Sequence, residues 1–174
     1  MGLPVVGKAH EASAGAPFVW FIYGSSLDRA AFAAWGKEHG YQVPDFQRGV
    51  LARLDGYRVA FDVRSRFWGG ATASLVEAPG AEVEGIALPM PGDARGLVDH
   101  KEGAISGLYQ AFAVTVTPLE GGAPLDAIAY RAAPDRRLPV EEAPSRGYLE
   151  VMVRGGRDFG LSPAYLDALA ARGR

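Results

Sequence analysis

The stretch FVWFIYGSSLD, residues 18–28, is an apolar run that ends abruptly in a tyrosine, a glycine and two serines. An uninterrupted apolar run bounded by turn residues predicts a strand at residues 18–23, buried on both faces. The alanine-rich segment RAAFAAWGKEHG follows. Asp28 is suited to cap the N-terminus of a helix that ends near His39, with Gly40 as its stop. The stretch therefore predicts a buried strand that leads through a short polar loop into a helix.

Periodicity and turn signals predict several hairpins and helices in the rest of the chain. Short β segments are expected at 49–63 around the Asp55-Gly56 turn signal, and a hairpin at 71–88 with its turn at 78–81. Further elements are a hairpin joining 108–117 to 125–131, and helices at 91–100, after Ser145 and after Ser162. This pattern suggests an α+β domain built on a curved or closed antiparallel sheet.

Length and composition limit the classes to which this protein can belong. The 174 residues suffice for one core but not for two ordinary domains, so we expect a loose leader at 1–17 and one domain at 18–174. The net charge of -2 disfavours a nucleic-acid partner. No apolar run approaches the roughly 20 residues of a bilayer span. The chain has no cysteine, which excludes thiol catalysis and disulfides and fits a cytoplasmic protein.

The loop Gly24-Ser25-Ser26 is the first candidate binding site. A loop of small residues just before a helix presents free backbone N–H groups, which suit a carboxylate or a phosphate. Gly24 would allow a ligand to approach the backbone closely and would take up a positive φ. A plain strand-to-helix turn with serine caps explains the same motif equally well. Because neither GxxxxGK[ST] nor GxGxxG is present, a nucleotide is the weaker interpretation.

Glu102 is a candidate acid–base residue, since it stands beside Gly103 where a predicted helix gives way to a strand. A carboxylate at such a break can face a cavity and lose part of its hydration, which raises its pKa and lets it accept and return a proton. The ordinary alternative is a solvated surface glutamate, and spacing alone does not separate the two.

Histidine and serine chemistry has less support in this sequence. The three histidines, His10, His39 and His100, form no recognised metal-binding motif. A catalytic triad of Ser25 or Ser26 with His100 would depend on distant folding, and the GxSxG motif of serine hydrolases is absent.

Four segments of the chain, taken in order, form a more specific pattern than any one motif. The first is the loop YGSSL at 23–27, and the second is WGGATASLVEAPGAEVEGIAL at 68–88. The third pairs DHKEG at 99–103 with SGLY at 106–109, and the fourth is PSRGYLEVMVRGGRDFGLSPAYLDAL at 144–169. In this order they resemble the gamma-glutamylcyclotransferase family, and the resemblance runs from about residue 18 to residue 169.

This resemblance implies a fold and a set of site residues. The fold would be α+β, a small mixed, mainly antiparallel β-barrel with helices packed around it. Glu102 would be the catalytic acid–base. The residues implied to bind or line the substrate pocket are Tyr23, Gly24, Ser25, Ser26, Leu27, Tyr109 and Tyr130. The family's usual asparagine in the loop is Ser26 here, so a side-chain amide is missing and substrate orientation or identity can differ.

The resemblance also implies a reaction. The α-amine of a γ-glutamyl group attacks its own γ-carbonyl, which releases 5-oxoproline and a free amine or amino acid. No metal, thiol or organic cofactor is implied, and the partner is a small γ-glutamyl molecule rather than a nucleic acid or a membrane. The leaving group stays open among dipeptides, γ-glutamyl-lysine and a capped natural-product intermediate, as does the oligomeric state. A non-catalytic ligand-binding module on the same barrel is the alternative, and a serine hydrolase comes third.

Overall fold

Five strands and four α-helices make up the main regular structure of residues 15–173, the part of the chain that the computed structural model describes. The predicted leader at 1–17 lies outside these residues except for 15–17, which are exposed and have no regular secondary structure. The elements in chain order are β1 (Phe18–Ile22), α1 (Arg29–His39), β2 (Val50–Ser65), β3 (Gly70–Met90), α2 (Arg95–Lys101), β4 (Tyr109–Pro118), β5 (Leu125–Ala132), α3 (Arg146–Phe159) and α4 (Pro163–Ala170).

The five strands close into a barrel in the order β1-β3-β2-β4-β5. Neighbouring strands are antiparallel, except that β1 and β5 run parallel and close the barrel at Trp20 and Ile128. The helices pack around this barrel. The fold predicted from the resemblance is therefore confirmed, as an α+β architecture on a mixed, mainly antiparallel β-barrel.

Strand β1 is packed on both faces, as its continuous apolar run predicts. Phe21 and the adjoining Tyr23 belong to a core cluster inside the barrel, whereas Trp20 and Ile22 belong to a second cluster that includes Phe32 of α1. Successive side chains of a strand point to opposite faces, so each face contributes to one cluster. Packing on both faces fixes the position of the loop that follows the strand.

The turns predicted at Asp55-Gly56 and at 78–81 are wrong. Strands β2 and β3 each continue through these positions and pair with each other, and the true turn between them lies at 66–69. The register shifts between Asp55 and Tyr57, and the residues opposite this shift are left out of the ladder as a bulge. Gly56 and Gly80 each have a φ of 81°, a left-handed conformation that occurs in some bulges as well as in hairpin turns.

The predicted helix ends are confirmed. Asp28 caps α1 by accepting a hydrogen bond from Ala31 N at 2.8 Å, and Gly40 ends this helix with a φ of 75°. Ser145 and Ser162 cap α3 and α4 with their side chains. The predicted 91–100 helix is α2 with a preceding 3-10 turn, and β4 and β5 form the predicted hairpin. Within residues 15–173, no helix combines the length and apolar character that crossing a bilayer demands.

Candidate functional site

A cavity of about 590 Å³ lies between the barrel, the loop after β1 and helix α1. This volume is within the range of roughly 300–1,000 Å³ that is usual for small-molecule sites. The inner wall consists of buried barrel residues such as Val63, Thr72 and Ala73. The outer wall comes from more exposed residues of α1 and from the β2–β3 turn, where Phe67 is 87% exposed. The cavity thus connects the barrel interior with solvent.

Most of the predicted site residues line this cavity, although they come from distant parts of the chain. The predicted residues that line it are Tyr23, Gly24, Ser25, Ser26, Glu102 and Tyr109. Tyr109 is held in the inner wall because its hydroxyl donates to Ala73 O at 2.8 Å.

Leu27 and Tyr130, also expected at the pocket, do not line it. Both side chains are buried at 1% exposure in the second core cluster, outside the barrel interior. The backbone oxygen of Tyr130 accepts a hydrogen bond from the Tyr23 hydroxyl, and its own hydroxyl donates to Asp99. Tyr130 therefore contacts Tyr23 and Asp99, but its side chain is not available to a ligand in the cavity.

The loop after β1 forms a single 3-10 turn. Leu27 N donates to Gly24 O and Asp28 N donates to Ser25 O, both at 3.1 Å. The N–H groups of Ser25 and Ser26 begin this turn and make no hydrogen bond with another described residue, as is usual for the first residues of a helical turn. Both residues line the cavity, so these two donors belong to its wall.

The positive φ expected at Gly24 is wrong, because its φ is -105°. A Cβ added at this residue would lie 3.7 Å from the Tyr148 hydroxyl, which is an ordinary van der Waals distance. The absence of a side chain at Gly24 therefore keeps the cavity wall open, and no left-handed backbone is involved.

Helices α1 and α3 hold the loop in place through Asp28. Its Oδ1 caps α1, and its Oδ2 accepts a hydrogen bond from Arg154 Nε of α3 at 2.6 Å. Asp28 is only 2% exposed, so the ion pair is well shielded on the carboxylate side. Gly155 lets the α3 backbone approach the loop closely, since a Cβ there would lie 2.6 Å from Leu27 O.

Glu102 is positioned by the end of α2. Gly103 has a φ of 76°, and Ala104 N donates to Asp99 O at 2.9 Å, so the helix ends in the manner that favours glycine. The Asp99 side chain accepts hydrogen bonds from Tyr130 and, at 3.0 Å, from Arg95 Nε. Because residues three apart lie on neighbouring parts of a helix surface, Asp99 anchors the turn that presents Glu102 to the cavity.

Glu102 also contacts the loop directly. Ser26 Oγ donates to Glu102 Oε1 at 2.6 Å, across 76 residues of sequence. Burial raises the pKa of Glu102 above its ordinary value, while the nearby Lys101 and the Ser26 hydrogen bond lower this pKa in part. A carboxylate whose charged form is disfavoured in this way accepts a proton more readily than an exposed one.

Several cavity residues were not identified from the sequence. The Tyr148 hydroxyl accepts a hydrogen bond from Ala73 N at 2.9 Å, and the Trp68 ring packs against the Tyr148 ring at 5.2 Å. Lys101 also lines the cavity, beside Glu102. Tyr148 and Trp68 belong to the quoted segments, so the segments carried a signal, but no local pattern indicates that these side chains point at the cavity.

The structure gives no support to a serine–histidine triad. Ser26 donates to Glu102, and His100 Nδ1 is 3.1 Å from the Tyr41 hydroxyl. Within residues 15–173, neither Ser25 nor Ser26 forms a hydrogen bond with a histidine. Nor do these residues contain a cluster of three histidine or carboxylate side chains that could hold a metal ion.

This chain is similar to known proteins in both sequence and fold. A sequence model of the AIG2-like family matches residues 82–169. Gamma-glutamylcyclotransferase of Bos taurus is 28% identical over 155 residues, which cover 87% of this chain and 76% of the bovine one. The solved structure of YkqA from Bacillus subtilis is 28% identical with a TM-score of 0.75, covering 90% of this chain and 54% of YkqA. A solved gamma-glutamyl cyclotransferase has a TM-score of 0.72 at 24% identity, covering 89% of this chain and 87% of its own.

Proposed function

Since this chain belongs to the AIG2-like family, we propose that it is a γ-glutamyl cyclotransferase that converts a γ-glutamyl amide into 5-oxoproline and a free amine or amino acid. The observation that carries this proposal is the hydrogen bond between Ser26 and Glu102, which joins the loop after β1 to a carboxylate of raised pKa in one cavity. The curated relatives named gamma-glutamylcyclotransferase support the same activity. We also propose a cytoplasmic location, with which the cysteine-free sequence agrees.

The reaction joins two groups of one substrate molecule. The α-amine attacks the γ-carbonyl carbon, a carbon–nitrogen bond forms, and the bond to the leaving nitrogen then breaks. Because nucleophile and electrophile belong to the same molecule, a cavity that holds the substrate folded gains much of the rate advantage. Well-oriented intramolecular reactions reach effective molarities of about 10⁵ M or more.

Glu102 is suited to carry the proton. Its carboxylate accepts a proton from the α-ammonium, which frees the amine for attack, and returns a proton to the departing nitrogen. Oε1 is occupied by Ser26, whereas Oε2 has no hydrogen-bond partner among the described residues. We assign Oε2 to the substrate. Ser26 thus orients the carboxylate, at the loop position where the resemblance implies an asparagine.

The loop supplies electrostatic stabilisation. The free N–H groups of Ser25 and Ser26 can bind the substrate's α-carboxylate or the oxyanion that develops on the γ-carbonyl oxygen. Both roles need rigid donors, and the packing of β1 together with the Asp28–Arg154 pair holds the loop in position.

Direct detection of 5-oxoproline by mass spectrometry tests this function. The full chain is incubated with γ-glutamyl amino acids, γ-glutamyl-ε-lysine and γ-glutamyl amines, and the Glu102→Gln variant is treated in parallel. We expect product from the wild-type chain only. Binding without product from any member would favour the non-catalytic binding module, and product formation by both proteins at similar rates would contradict the role of Glu102.

The Ser26→Ala variant should shift the pH dependence of the reaction. Removing the hydroxyl removes a hydrogen bond that lowers the pKa of Glu102, so this pKa rises further. Glu102 must be ionised to accept the first proton, so the acidic limb of kcat/KM against pH moves to higher pH. The measurement is a pH profile of 5-oxoproline formation for both proteins. An acidic limb at unchanged pH would show that this hydrogen bond does not act on the catalytic carboxylate.

A further inference from the structure

Lys101 is the only lysine or arginine among the described residues that line the cavity, and the mechanism above does not use it. Its ammonium lies 5.4 Å from the centre of the Phe32 ring and 5.7 Å from that of Trp35, both on α1. Within residues 15–173 it forms neither a hydrogen bond nor a salt bridge. The Glu102 carboxylate next to it in the chain is turned to Ser26 instead.

An ammonium in this environment is poorly compensated. Burial lowers the pKa of Lys101, and the charge of Glu102 opposes this effect only in part. Aromatic faces attract a cation, but they do not replace the hydrogen bonds that the ammonium loses when it leaves water. An anion bound in the cavity would supply those hydrogen bonds.

The position of Lys101 indicates which part of a substrate it meets. In the proposed function the loop and Glu102 hold the glutamyl part, and the inner barrel wall lies behind them. A group that leaves from the γ-carbonyl must therefore extend toward the outer wall, where Trp35 of α1 contacts Lys101. Glu38 is an acidic residue of that outer wall. It is exposed to solvent, which screens its charge from a ligand in the cavity.

We propose that Lys101 is a specificity-determining residue, whose ammonium binds a carboxylate on the leaving group next to the scissile amide nitrogen. This inference rests on the proposed cyclotransferase function. It follows that the enzyme distinguishes leaving groups that carry this carboxylate from otherwise identical amines that lack it, and that Lys101 causes the difference.

A matched pair of substrates tests the proposal. γ-Glutamyl-alanine and γ-glutamylethylamide differ only by the carboxylate of the leaving group. We expect Lys101→Met to lower kcat/KM for γ-glutamyl-alanine by about 10- to 100-fold, the range for loss of a hydrogen bond between charged groups, mainly through a higher KM. Turnover of γ-glutamylethylamide should change by less than about threefold, since that part of the interaction is absent.

Two further variants separate this role from a structural one. Lys101→Arg keeps the charge and should retain most of the preference for γ-glutamyl-alanine. Lys37→Met removes an exposed lysine of α1, the helix that carries Trp35. Lys37 does not line the cavity, so this variant should affect neither substrate. Equal losses on both substrates in Lys101→Met, or no loss on either, would overturn the proposal.

Binding measurements distinguish failure of this proposal from failure of the proposed function. Calorimetry in the Glu102→Gln background compares both compounds with and without Lys101→Met. If the wild-type chain forms 5-oxoproline from neither compound, the cyclotransferase function fails for them. A carboxylate-dependent loss of affinity in Lys101→Met would still support the role of Lys101, whereas identical or absent binding would overturn it.

Discussion

The Glu102→Gln variant is expected to lose about 10³-fold in kcat for 5-oxoproline formation while it still binds γ-glutamyl ligands. Glutamine has nearly the same shape and can still accept the Ser26 hydrogen bond, but it cannot take up and return a proton. Positioned acid–base groups contribute roughly 10²- to 10⁴-fold to a reaction rate. Steady-state kinetics give the loss in kcat, and calorimetry with the same ligands gives the affinity.

The matched control is Glu120→Gln, which removes an exposed carboxylate in the turn after β4, away from the cavity. Its kcat should equal that of the wild-type chain. A kcat for Glu102→Gln within a few fold of wild type would contradict the assignment of Glu102 as the proton carrier.

The stability of the Glu102→Gln variant provides a second readout with a definite sign. Burial raises the pKa of Glu102 in the folded state, so this group favours folding when it is protonated at low pH, and that contribution is lost as pH rises through the raised pKa. Above the raised pKa the folded chain therefore holds a buried carboxylate that would be better hydrated after unfolding. We expect the free energy of unfolding of Glu102→Gln to be no lower than that of wild type. Such a result would show that the variant loses activity without losing stability.

The Gly155→Ala variant is expected to destabilise the protein and to disturb the loop that carries Ser25 and Ser26. A Cβ at residue 155 would lie 2.5 Å from Asp28 N and 2.6 Å from Leu27 O, and both are backbone atoms that cannot rotate away. Overpacking of this kind costs about 1–3 kcal/mol in the free energy of unfolding. Because a shift of ~1 Å at a catalytic group can cost about 10²-fold in rate, we expect kcat to fall by more than about tenfold.

Gly147→Ala is the matched control in the same helix. No heavy atom would lie within 4 Å of its added Cβ, and the residue is exposed. Alanine is a better helix former than glycine, so this variant should be unchanged or more stable by up to about 1 kcal/mol, with normal activity. Denaturant unfolding of both variants measures the difference. Similar stabilities for the two would show that α3 does not press on the loop.

Local signals in the sequence predict much of the fold. The uninterrupted run of β1 indicates burial on both faces, and Asp28, Ser145 and Ser162 mark the first turns of their helices because a cap depends on only a few neighbouring residues. Patterning alone indicated a curved or closed antiparallel sheet, and the resemblance of four ordered segments to a known family implied the barrel. These features depend on residues near one another in sequence or on their order.

Pairing between distant segments is harder to predict from the sequence. Asp55-Gly56 and residues 78–81 have the composition of turns, and only the pairing of β2 with β3 makes them a bulge. Similarly, the resemblance implied Tyr130 for the pocket, but this strand residue turns its hydroxyl toward Asp99, whereas Tyr148 of α3, which was not singled out, lines the cavity. Strand periodicity indicates that a residue is buried without indicating which of two buried spaces it enters.

The sequence by itself thus determined the element types, the helix caps, and the identity of the loop and of Glu102 as candidates. Only the tertiary structure decided that Ser26 and Glu102 meet, that Tyr148 joins them, and that Lys101 faces the same cavity without a partner among residues 15–173. The physical reason is that contacts across 76 residues depend on barrel closure and helix packing. Those arrangements arise from the summed burial of many side chains, which no short stretch of sequence specifies.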